Sequence, residues 1–230
     1  MNEGNVTDQV WVVIAAFNEA SAIAPVIAGV LPHYPNVVVV DDGSADDTRI
    51  VAASAGAHVL AHPFNLGQGA ALQTGITYAL RQGATAIVTF DADGQHRADD
   101  IAKLLAALAA NNAELACGSR FLGTTGNMPR MRRMTLRAAV LFTRLTTGLN
   151  MTDSHNGLRA MTRRFAQTVR IRQNRMAHAS EIIELAAHFR LKLVEVPVHI
   201  EYTEYAMRKG QKMTGAFEIL LDLIGGRLSR

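Results

Sequence analysis

Only one cysteine, Cys117, and one tryptophan, Trp11, occur among the 230 residues, and no uninterrupted apolar run approaches the length of a membrane span. A membrane-crossing helix needs about 18–20 apolar residues in succession, so none is predicted. A lone cysteine cannot close an internal disulfide, which fits a reducing compartment. The first ten residues, "MNEGNVTDQV", are polar and acidic, and this argues against a secretory signal.

Charge is scarce and almost balanced, with 23 Lys and Arg against 20 Asp and Glu and a formal net charge of +3. This balance provides no general attraction for polyanions, so we expect no nucleic-acid partner. The basic residues are unevenly placed, because the segment 128–144 holds five arginines and no acid. Such a cluster is typical of a surface that meets an anionic partner, although a solvated basic face has the same composition.

Short apolar runs alternate with segments of helical spacing, in a chain that is 49% hydrophobic. Strands that are apolar throughout indicate a mostly parallel sheet with helices on both faces, which is an α/β fold. The predicted strands are 10–17, 36–44, 57–63, 84–94, 113–121, the end of 152–163, and 192–205. The predicted helices are 19–31, 45–56, 67–83, 97–112, 129–150, 178–191 and 214–228.

Acids follow three of the predicted strands, at Glu19, Asp42 and Asp91. Ligands of parallel sheets bind beyond the carboxyl ends of the strands, so these acids should share one rim. Asp91 and Asp93 should face the same side, and two such carboxylates repel unless a cation lies near them. Mg²⁺ or Mn²⁺ suits these oxygens, with Gln95 as a further neutral ligand. The alternative is a turn in which an aspartate caps the next helix.

Two other chemistries fit less of this pattern. The stretch "FDADGQ" is close to the D-x-D-G-T of haloacid dehalogenase-type phosphatases, with Asp91 as nucleophile and Asp93 as general acid. That motif follows the first strand of its fold, whereas three predicted strands precede it here, and glutamine replaces the threonine. The stretch "NLGQGAALQTG" contains three glycines, but Leu72 stands where the dinucleotide-binding G-x-G-x-x-G needs its last glycine.

Five segments match, in order and in spacing, the motifs of family 2 glycosyltransferases: "VVIAAFNEA", "VVVVDDGSADDT", "NLGQGAALQTG", "FDADGQH" and "GSRF". Within that family the chain resembles the dolichol-phosphate mannose synthase and bacterial polyprenyl-phosphate glycosyltransferase branch. The segments "TDSHNGLRA" and "TEYAMRKGQK" extend the resemblance to roughly residues 9–215. It implies a single GT-A domain over 1–230. That domain would have a nucleotide-binding half at about 9–123, an acceptor half at about 124–215 and a C-terminal amphipathic helix at 216–230.

The resemblance also implies roles for individual residues. Asp93 would bind the divalent metal with help from Gln95, and Asp91 would lie near the ribose and diphosphate. The residues expected to contact the nucleotide sugar are Ala15, Phe17, Glu19, Asp42, Asn65, Gly67, Gln68, Gly69, Asp91 and Ala92. Those expected to meet the acceptor phosphate are Arg120, Arg132, Arg133, Arg159 and Lys209. The residues assigned to catalysis are Asp91, Asp93 and Arg120. The chain departs from the family pattern at Gln68, where many relatives carry Lys or Arg, and at "KGQK", where relatives have G-x-S-K.

Motifs that accompany hydroxyl acceptors in the family, an E-D pair and Q-x-x-R-W, do not occur in this sequence. A hydroxyl needs a general base, whereas a lipid phosphate is already an anion and needs only positioning. Glu181 is a candidate base that fits a structural acid equally well. The resemblance therefore favours inverting transfer of one sugar, from a donor such as GDP-mannose or UDP-glucose, to a polyprenyl phosphate. The alternatives are transfer to a hydroxyl of a polysaccharide or lipid-linked intermediate, and a non-catalytic nucleotide-sugar-binding subunit.

Residues 134–149 combine arginines with an apolar stripe, a pattern typical of helices that lie on a membrane surface. Each basic residue near an anionic leaflet contributes roughly 1 kcal/mol of attraction. The same apolar residues would also suit packing on the core. We expect a cytoplasmic protein that binds peripherally at the inner face of the membrane, with a separate membrane-anchoring subunit as a candidate partner.

Overall fold

A single seven-stranded sheet organises the part of the chain that the computed structural model describes, residues 9–174, 177–202 and 205. The strands are β1 (Val10–Ala16), β2 (Asn36–Asp41), β3 (His58–Ala61), β4 (Ala86–Asp91), β5 (Leu115–Gly126), β6 (Arg159–Thr162) and β7 (Leu193–Glu201). Their order across the sheet is β3-β2-β1-β4-β6-β5-β7. Among the strands of the described ranges, only β6 runs against its neighbours, β4 and β5, so the predicted mostly parallel sheet is confirmed.

Helices cover both faces of this sheet, as predicted. They are α1 (Ile23–Val30), α2 (Thr48–Ser54), α3 (Gln68–Arg81), α4 (Asp99–Asn111), α5 (Arg130–Thr147), α6 (Arg163–Thr168) and α7 (His178–His188). One hydrophobic core contains side chains of α1, α2 and α4. A second, on the opposite face, contains side chains of α3, α6 and α7. Within the described ranges, no helix combines the length and the apolar character needed to cross a bilayer.

The central strands β1, β2 and β4 carry apolar residues on both faces because both of their faces are covered. In β1, Val12 and Ile14 belong to the first core, whereas Trp11 and Val13 belong to the second. Successive strand side chains point to opposite faces, so a strand between two helical layers needs apolar residues throughout. Helix α3 lies so close to β1 that a Cβ added at Gly75 would overlap the side chain of Val13.

The structure differs from the sequence prediction at several elements. Helix α6 was not predicted, because its six residues are too few to show a helical period. Strand β5 extends to Gly126, beyond the predicted end, and its pairing with β7 changes register between Ser119 and Thr124. Helix α5 buries only Val140 and Thr143, so most of its surface is outside the core. The predicted C-terminal helix at 216–230 lies outside the described residues.

The antiparallel strand β6 brings an additional segment to the carboxyl ends of the other strands. Its first residue, Arg159, pairs with Thr89 near the end of β4. Because β6 runs in the opposite direction to β4, the chain that precedes it, residues 152–158, arrives at the rim where β4 ends. This pairing across about 70 residues of sequence is what places the "TDSHNG" segment beside Asp91.

Candidate active site

The carboxyl ends of β1, β2 and β4 lie side by side, as the positions of the acids predicted. In the sheet register, Ala15 of β1 pairs with Asp91, and Ala16 pairs with Asp41. The loops that follow β1 and β2 are joined by hydrogen bonds. Asn18 N donates to Ser44 Oγ at 2.9 Å, and Glu19 N donates to Thr48 Oγ1 at 2.7 Å. These bonds give the rim a fixed framework on the side of β1 and β2.

Residues predicted to contact the nucleotide line this framework at different depths. Phe17 is 41% exposed and Ala15 is half-buried, so the Phe17 ring is accessible to a ligand. Glu19 is buried, and its Oε2 accepts a hydrogen bond from the Tyr205 hydroxyl at 2.7 Å. Ala92 is buried directly after β4.

Asp42 is buried and shapes the loop that leads into α3. Its Oδ1 lies 2.7 Å from His62 Nδ1 and accepts from Leu66 N at 3.0 Å, and its Oδ2 accepts from Gly67 N at 2.7 Å. The carboxylate therefore holds the turn in which Gly67 adopts a φ of 102°. Contact between Asp42 and a nucleotide base stays a prediction. What the structure shows is that this side chain supports the glycine-containing segment.

The segment 65–69 approaches Asp91 and the irregular segment between α6 and α7. Asn65 is exposed, whereas Gln68 Nε2 lies 3.4 Å from Asp91 Oδ1. Gly69 N donates to Asn174 O at 2.8 Å, and a Cβ at Gly69 would overlap the carbonyl oxygen of Gln173. Gly69 is thus needed for close packing within the protein.

Asp91 and Asp93 lie near each other in different environments. Burial alone would raise the pKa of the Asp91 carboxyl, but His96, with His178 and Arg120, lowers it below its ordinary value. Burial and the nearby charges of Asp91 and Glu19 raise the pKa of Asp93 to about 6. Asp93 thus sits where negative charge is in excess, which is the condition that a bound cation relieves.

The residues at this site fit a divalent ion that is shared with a substrate. No group of three or more His, Cys, Asp or Glu side chains is arranged for a metal within the described ranges. Mg²⁺ commonly uses one or two protein carboxylates and completes its shell with water and substrate phosphates, so such a group is not required. Asp93 and the buried Gln95 supply oxygens of the right kind. The alternative of an aspartate cap is wrong for α4, whose N-cap residue is Ala98.

Arg120 has a different setting from the one that the resemblance implied. It is only 7% exposed. Its Nε donates to Asp153 Oδ2 at 2.6 Å, Nη1 to the Tyr202 hydroxyl at 2.9 Å, and Nη2 to His155 O at 3.0 Å. A guanidinium that is buried and already hydrogen-bonded at all three nitrogens is a poor direct ligand for an acceptor phosphate. Its contacts instead hold the 152–158 segment against β5.

The other basic candidates divide in the same way between buried and accessible positions. Arg159 is 3% exposed, and its Nη2 donates to Ser154 O and Ala179 O at 3.0 and 3.1 Å, which also argues against direct phosphate contact. Arg132 is half-buried with its guanidinium carbon 4.9 Å from the centre of the Tyr202 ring, and Arg133 is exposed. Lys209 lies outside the described residues.

Glu181 has the contacts of a structural acid. It is buried at the start of α7, and its Oε2 accepts from the backbone N–H groups of Arg172 and Gln173 at 2.9 and 2.8 Å. The carboxylate thereby shapes the segment that packs on Gly69. This arrangement favours the structural interpretation over a general base.

Sequence reasoning missed two residues that contact Asp91. His96 Nε2 lies 2.8 Å from Asp91 Oδ2, and a Cβ at Gly157 would overlap both carboxylate oxygens. His96 stands inside the quoted motif "FDADGQH", but no metal-ligand spacing among the histidines drew attention to it. Gly157 belongs to "TDSHNGLRA", and only the antiparallel pairing of β6 reveals its neighbour.

The sheet order and the acid-lined rim define a GT-A fold, and a solved structure supports that class. Glucosyl-3-phosphoglycerate synthase from Mycobacterium tuberculosis, crystallised with Mn²⁺ and UDP-glucose, matches 96% of this chain and 78% of its own with a TM-score of 0.73 at 19% identity. Residues 11–170 also match the model of glycosyl transferase family 2. The chain belongs to this family and is a glycosyltransferase, which confirms the predicted family, fold and enzyme class.

Two relatives are similar over nearly the whole chain. A UDP-N-acetylglucosamine–dolichyl-phosphate N-acetylglucosaminyltransferase from Methanococcus voltae is 32% identical, over 94% of this chain and 94% of its own length. A polyprenol monophosphomannose synthase from Mycolicibacterium smegmatis is 30% identical, over 97% of this chain and 90% of its own length. The similarity therefore extends beyond the nucleotide-binding motifs into the second half of the chain.

The raised pKa of Asp93, about 6, predicts an effect of charge on stability. Above that pH the ionised carboxylate destabilises the folded protein, whereas below the ordinary pKa both states hold the proton and the effect disappears. In chelator at pH 7.5, Asp93→Asn should raise the melting temperature by about 2–4 °C. This is the shift that a gain of about 1 kcal/mol in the free energy of unfolding produces in a chain of this size. The gain should shrink as the pH falls to about 5.

The control for this measurement is Asp99→Asn, which neutralises an exposed acid in the first turn of α4. This variant should show no gain that depends on pH in the same way. A melting temperature of Asp93→Asn at or below the wild-type value at pH 7.5 would contradict the electrostatic assignment.

Proposed function

We propose that this enzyme transfers one sugar, with inversion, from a nucleotide-diphospho-sugar of the GDP-mannose or UDP-glucose type to a polyprenyl phosphate at the cytoplasmic face of the membrane. The support is twofold. Two of the relatives that match nearly the whole chain are named for transfer to dolichyl phosphate and for polyprenol monophosphomannose synthesis. The observation that carries the proposal is the Asp91–Asp93 pair at the ends of parallel strands, with negative charge in excess at Asp93.

In this proposal a phosphate oxygen of the acceptor attacks the anomeric carbon of the sugar. The bond from that carbon to the diphosphate breaks, and its electron pair leaves with the nucleoside diphosphate. Asp93 and Gln95 would hold Mg²⁺ or Mn²⁺, which supplies positive charge to the leaving diphosphate when it is bound. Asp91 orients the ribose and diphosphate, and the accessible Phe17 ring packs beside the base.

The remaining donor contacts follow from the positions of the predicted residues around the rim. Glu19, Ala15 and Ala92 border the base and ribose, while Asn65 and Gln68 border the diphosphate and sugar. Asp42, Gly67 and Gly69 support this surface through the hydrogen bonds and close packing that hold the 65–69 segment. The donor contacts therefore rest on backbone that the protein's own interactions already fix.

The acceptor phosphate needs positioning and positive charge, and it needs no general base. The exposed Arg133 and the half-buried Arg132 are less enclosed than Arg120 and Arg159, and the planar guanidinium group suits phosphate oxygens. Arg120 and Arg159 act through the 152–158 segment that they hold in place. Because Tyr202 contacts both Arg120 and Arg132, the buried and the accessible arginines meet at one ring.

Helix α5 provides the surface that we assign to membrane contact. Four of its large apolar side chains are exposed by 58% to 78%: Met131, Met134, Leu141 and Leu145. Arginines on the same helix, with no acid between residues 128 and 144, add attraction for anionic lipids. We therefore place the enzyme peripherally at the inner membrane face, where a separate anchoring subunit is a further candidate partner.

A transfer assay with vesicles tests the proposed reaction. Vesicles that contain a polyprenyl phosphate are mixed with labelled GDP-mannose, UDP-glucose or UDP-N-acetylglucosamine, with Mn²⁺ or with chelator, and lipid-linked label is measured. Wild type should label the lipid with one donor only when the metal is present. Asp93→Ala should transfer the sugar more slowly by a factor on the order of 10²–10³, which is the loss typical when the electrostatic stabilisation of developing negative charge is removed.

The matched control is Asp99→Ala, which should retain the wild-type rate because Asp99 is an exposed acid in the first turn of α4 and is not among the residues assigned to the site. Full transfer in chelator would remove the metal from the proposal. Label found only on sugar hydroxyls, and never on the lipid phosphate, would favour the hydroxyl-acceptor alternative.

The acceptor assignment predicts a selective defect when the accessible arginines are removed. The double variant Arg132→Ala/Arg133→Ala should raise KM for the lipid phosphate about tenfold or more, because each charge-assisted hydrogen bond contributes about 1.5–3 kcal/mol. The affinity for the nucleotide sugar should stay unchanged. The control Arg49→Ala/Arg81→Ala removes two charges from α2 and α3. A loss of donor affinity with an unchanged lipid KM would refute the assignment.

The membrane assignment predicts weaker vesicle binding when α5 loses apolar surface. Leu141→Ser/Leu145→Ser should reduce binding to anionic vesicles about tenfold or more, because a buried leucine side chain contributes roughly 1.5–3 kcal/mol. Sedimentation with vesicles measures the bound fraction. Ile50→Ser, which changes an equally exposed side chain on α2, should bind as wild type does. Equal binding by all three proteins would exclude α5 as the membrane surface.

A further inference from the structure

The Asp91 carboxylate is held on several sides by the protein itself. His96 Nε2 lies 2.8 Å from Oδ2, and Gln68 Nε2 lies 3.4 Å from Oδ1. On a third side the carboxylate rests against Gly157, where any Cβ would overlap both oxygens. Asp93 is held by fewer contacts. Among the hydrogen bonds observed in the described residues, its carboxylate accepts only a local one, from Gln95 N to Oδ1 at 3.1 Å.

His96 is itself firmly placed. Its side chain is 3% exposed, and its ring packs edge-on against Phe90 with ring centres 5.4 Å apart. The backbone of His96 forms a bridge to Ile200 of β7, and the adjacent Gln95 O accepts from Glu201 N at 3.0 Å. Phe90 of β4 therefore packs against the imidazole, and β7 fixes the backbone that carries it.

Gly157 is fixed from the opposite direction. Its carbonyl oxygen accepts a hydrogen bond from Thr89 Oγ1 at 2.7 Å, two residues before Asp91 on the same strand. The pairing of Thr89 with Arg159 anchors the chain that carries Gly157. The bare α-carbon of Gly157 and the imidazole of His96 thus approach one carboxylate from elements far apart in the sequence.

We propose that His96 is a positioning residue for glycosyl transfer. His96 holds the Asp91 carboxylate in one orientation before the donor binds, and Gly157 allows this orientation because it has no side chain. The inference rests on the proposed function, in which Asp91 orients the ribose and diphosphate. A carboxylate that is fixed in advance loses no orientational freedom when the donor arrives, and small displacements of such groups reduce rates strongly.

The stereochemistry of the side chains supplies a sharp test. The terminal amide nitrogen of glutamine can occupy the position of a histidine Nε2, whereas the shorter asparagine reaches only the position of Nδ1. His96→Gln should therefore keep most of the turnover, within about fivefold of wild type. His96→Asn, and His96→Phe, which retains a ring to pack on Phe90, should lower kcat by about 10–100-fold, as misplaced catalytic groups do. Gly157→Ala should show a similar loss because its Cβ displaces the same carboxylate.

Two measurements separate positioning from a general loss of structure. A double-mutant cycle of His96→Phe and Asp91→Asn, read from denaturant unfolding, should show non-additive effects, because the cycle isolates the contact between the two side chains. Binding of UDP and GDP with Mn²⁺ should weaken in His96→Asn more than in His96→Gln. His33→Asn, at an exposed histidine distant from the rim, should match wild type in every assay.

Additive effects in the cycle, or equal losses in His96→Gln and His96→Asn, would overturn the proposal. Failure of the proposed function would look different. In that case wild type would transfer no sugar to a polyprenyl phosphate, while the cycle and the nucleotide-binding comparison would still decide the role of His96.

Discussion

Repulsion between two neighbouring carboxylates, Asp91 and Asp93, is the constraint on which the organisation of this site depends. A folded chain tolerates such a pair only if the surroundings of each carboxylate offset the repulsion between the two charges. The structure does so by placing an imidazole against Asp91, whose pKa falls, and by leaving Asp93 with a pKa of about 6. One acid is thereby part of the protein's own hydrogen-bonded framework. The other keeps an unfavourable charge that a bound cation would stabilise.

The sheet explains why this pair can be built so close to the other functional groups. Parallel strands end at a common rim, so β1, β2 and β4 deliver residues from three separate parts of the sequence. The antiparallel strand β6 then brings the 152–158 segment to the same place. That segment is held by buried polar contacts, since Asp153 pairs with Arg120, and Glu195 accepts from the N–H groups of Thr152 and Asp153. A buried ion pair of this kind adds little net stability, but removal of one partner is costly because the other charge is left buried and unpaired.

The sequence was sufficient for the layers of the fold and for the acids at the rim, because both follow from local patterns. Apolar runs reveal strands covered on both faces, and acids directly after such runs reveal a ligand-binding edge. The sequence was not sufficient for the setting of Arg120. Its partner Asp153 lies 33 residues away, and only tertiary structure shows that the guanidinium is buried. His96 was visible within its motif, but its contact with Asp91 depends on a turn whose geometry no short pattern specifies.

Some of the arginines near the site are buried and others are accessible, and this difference matters for a reaction between two anions. In the proposed reaction a diphosphate donor and a phosphate acceptor would both meet a rim that already carries Glu19, Asp91 and Asp93. Arg120 and Arg159 cannot offset that charge by direct contact, because their guanidinium groups are buried and bonded to the 152–158 segment and its neighbours. Positive charge for the proposed reaction must therefore come from the metal on the donor side and from accessible residues such as Arg132 and Arg133 on the acceptor side. In the proposed reaction the buried arginines fix the geometry of the rim, and the accessible ones together with the cation would supply its positive charge.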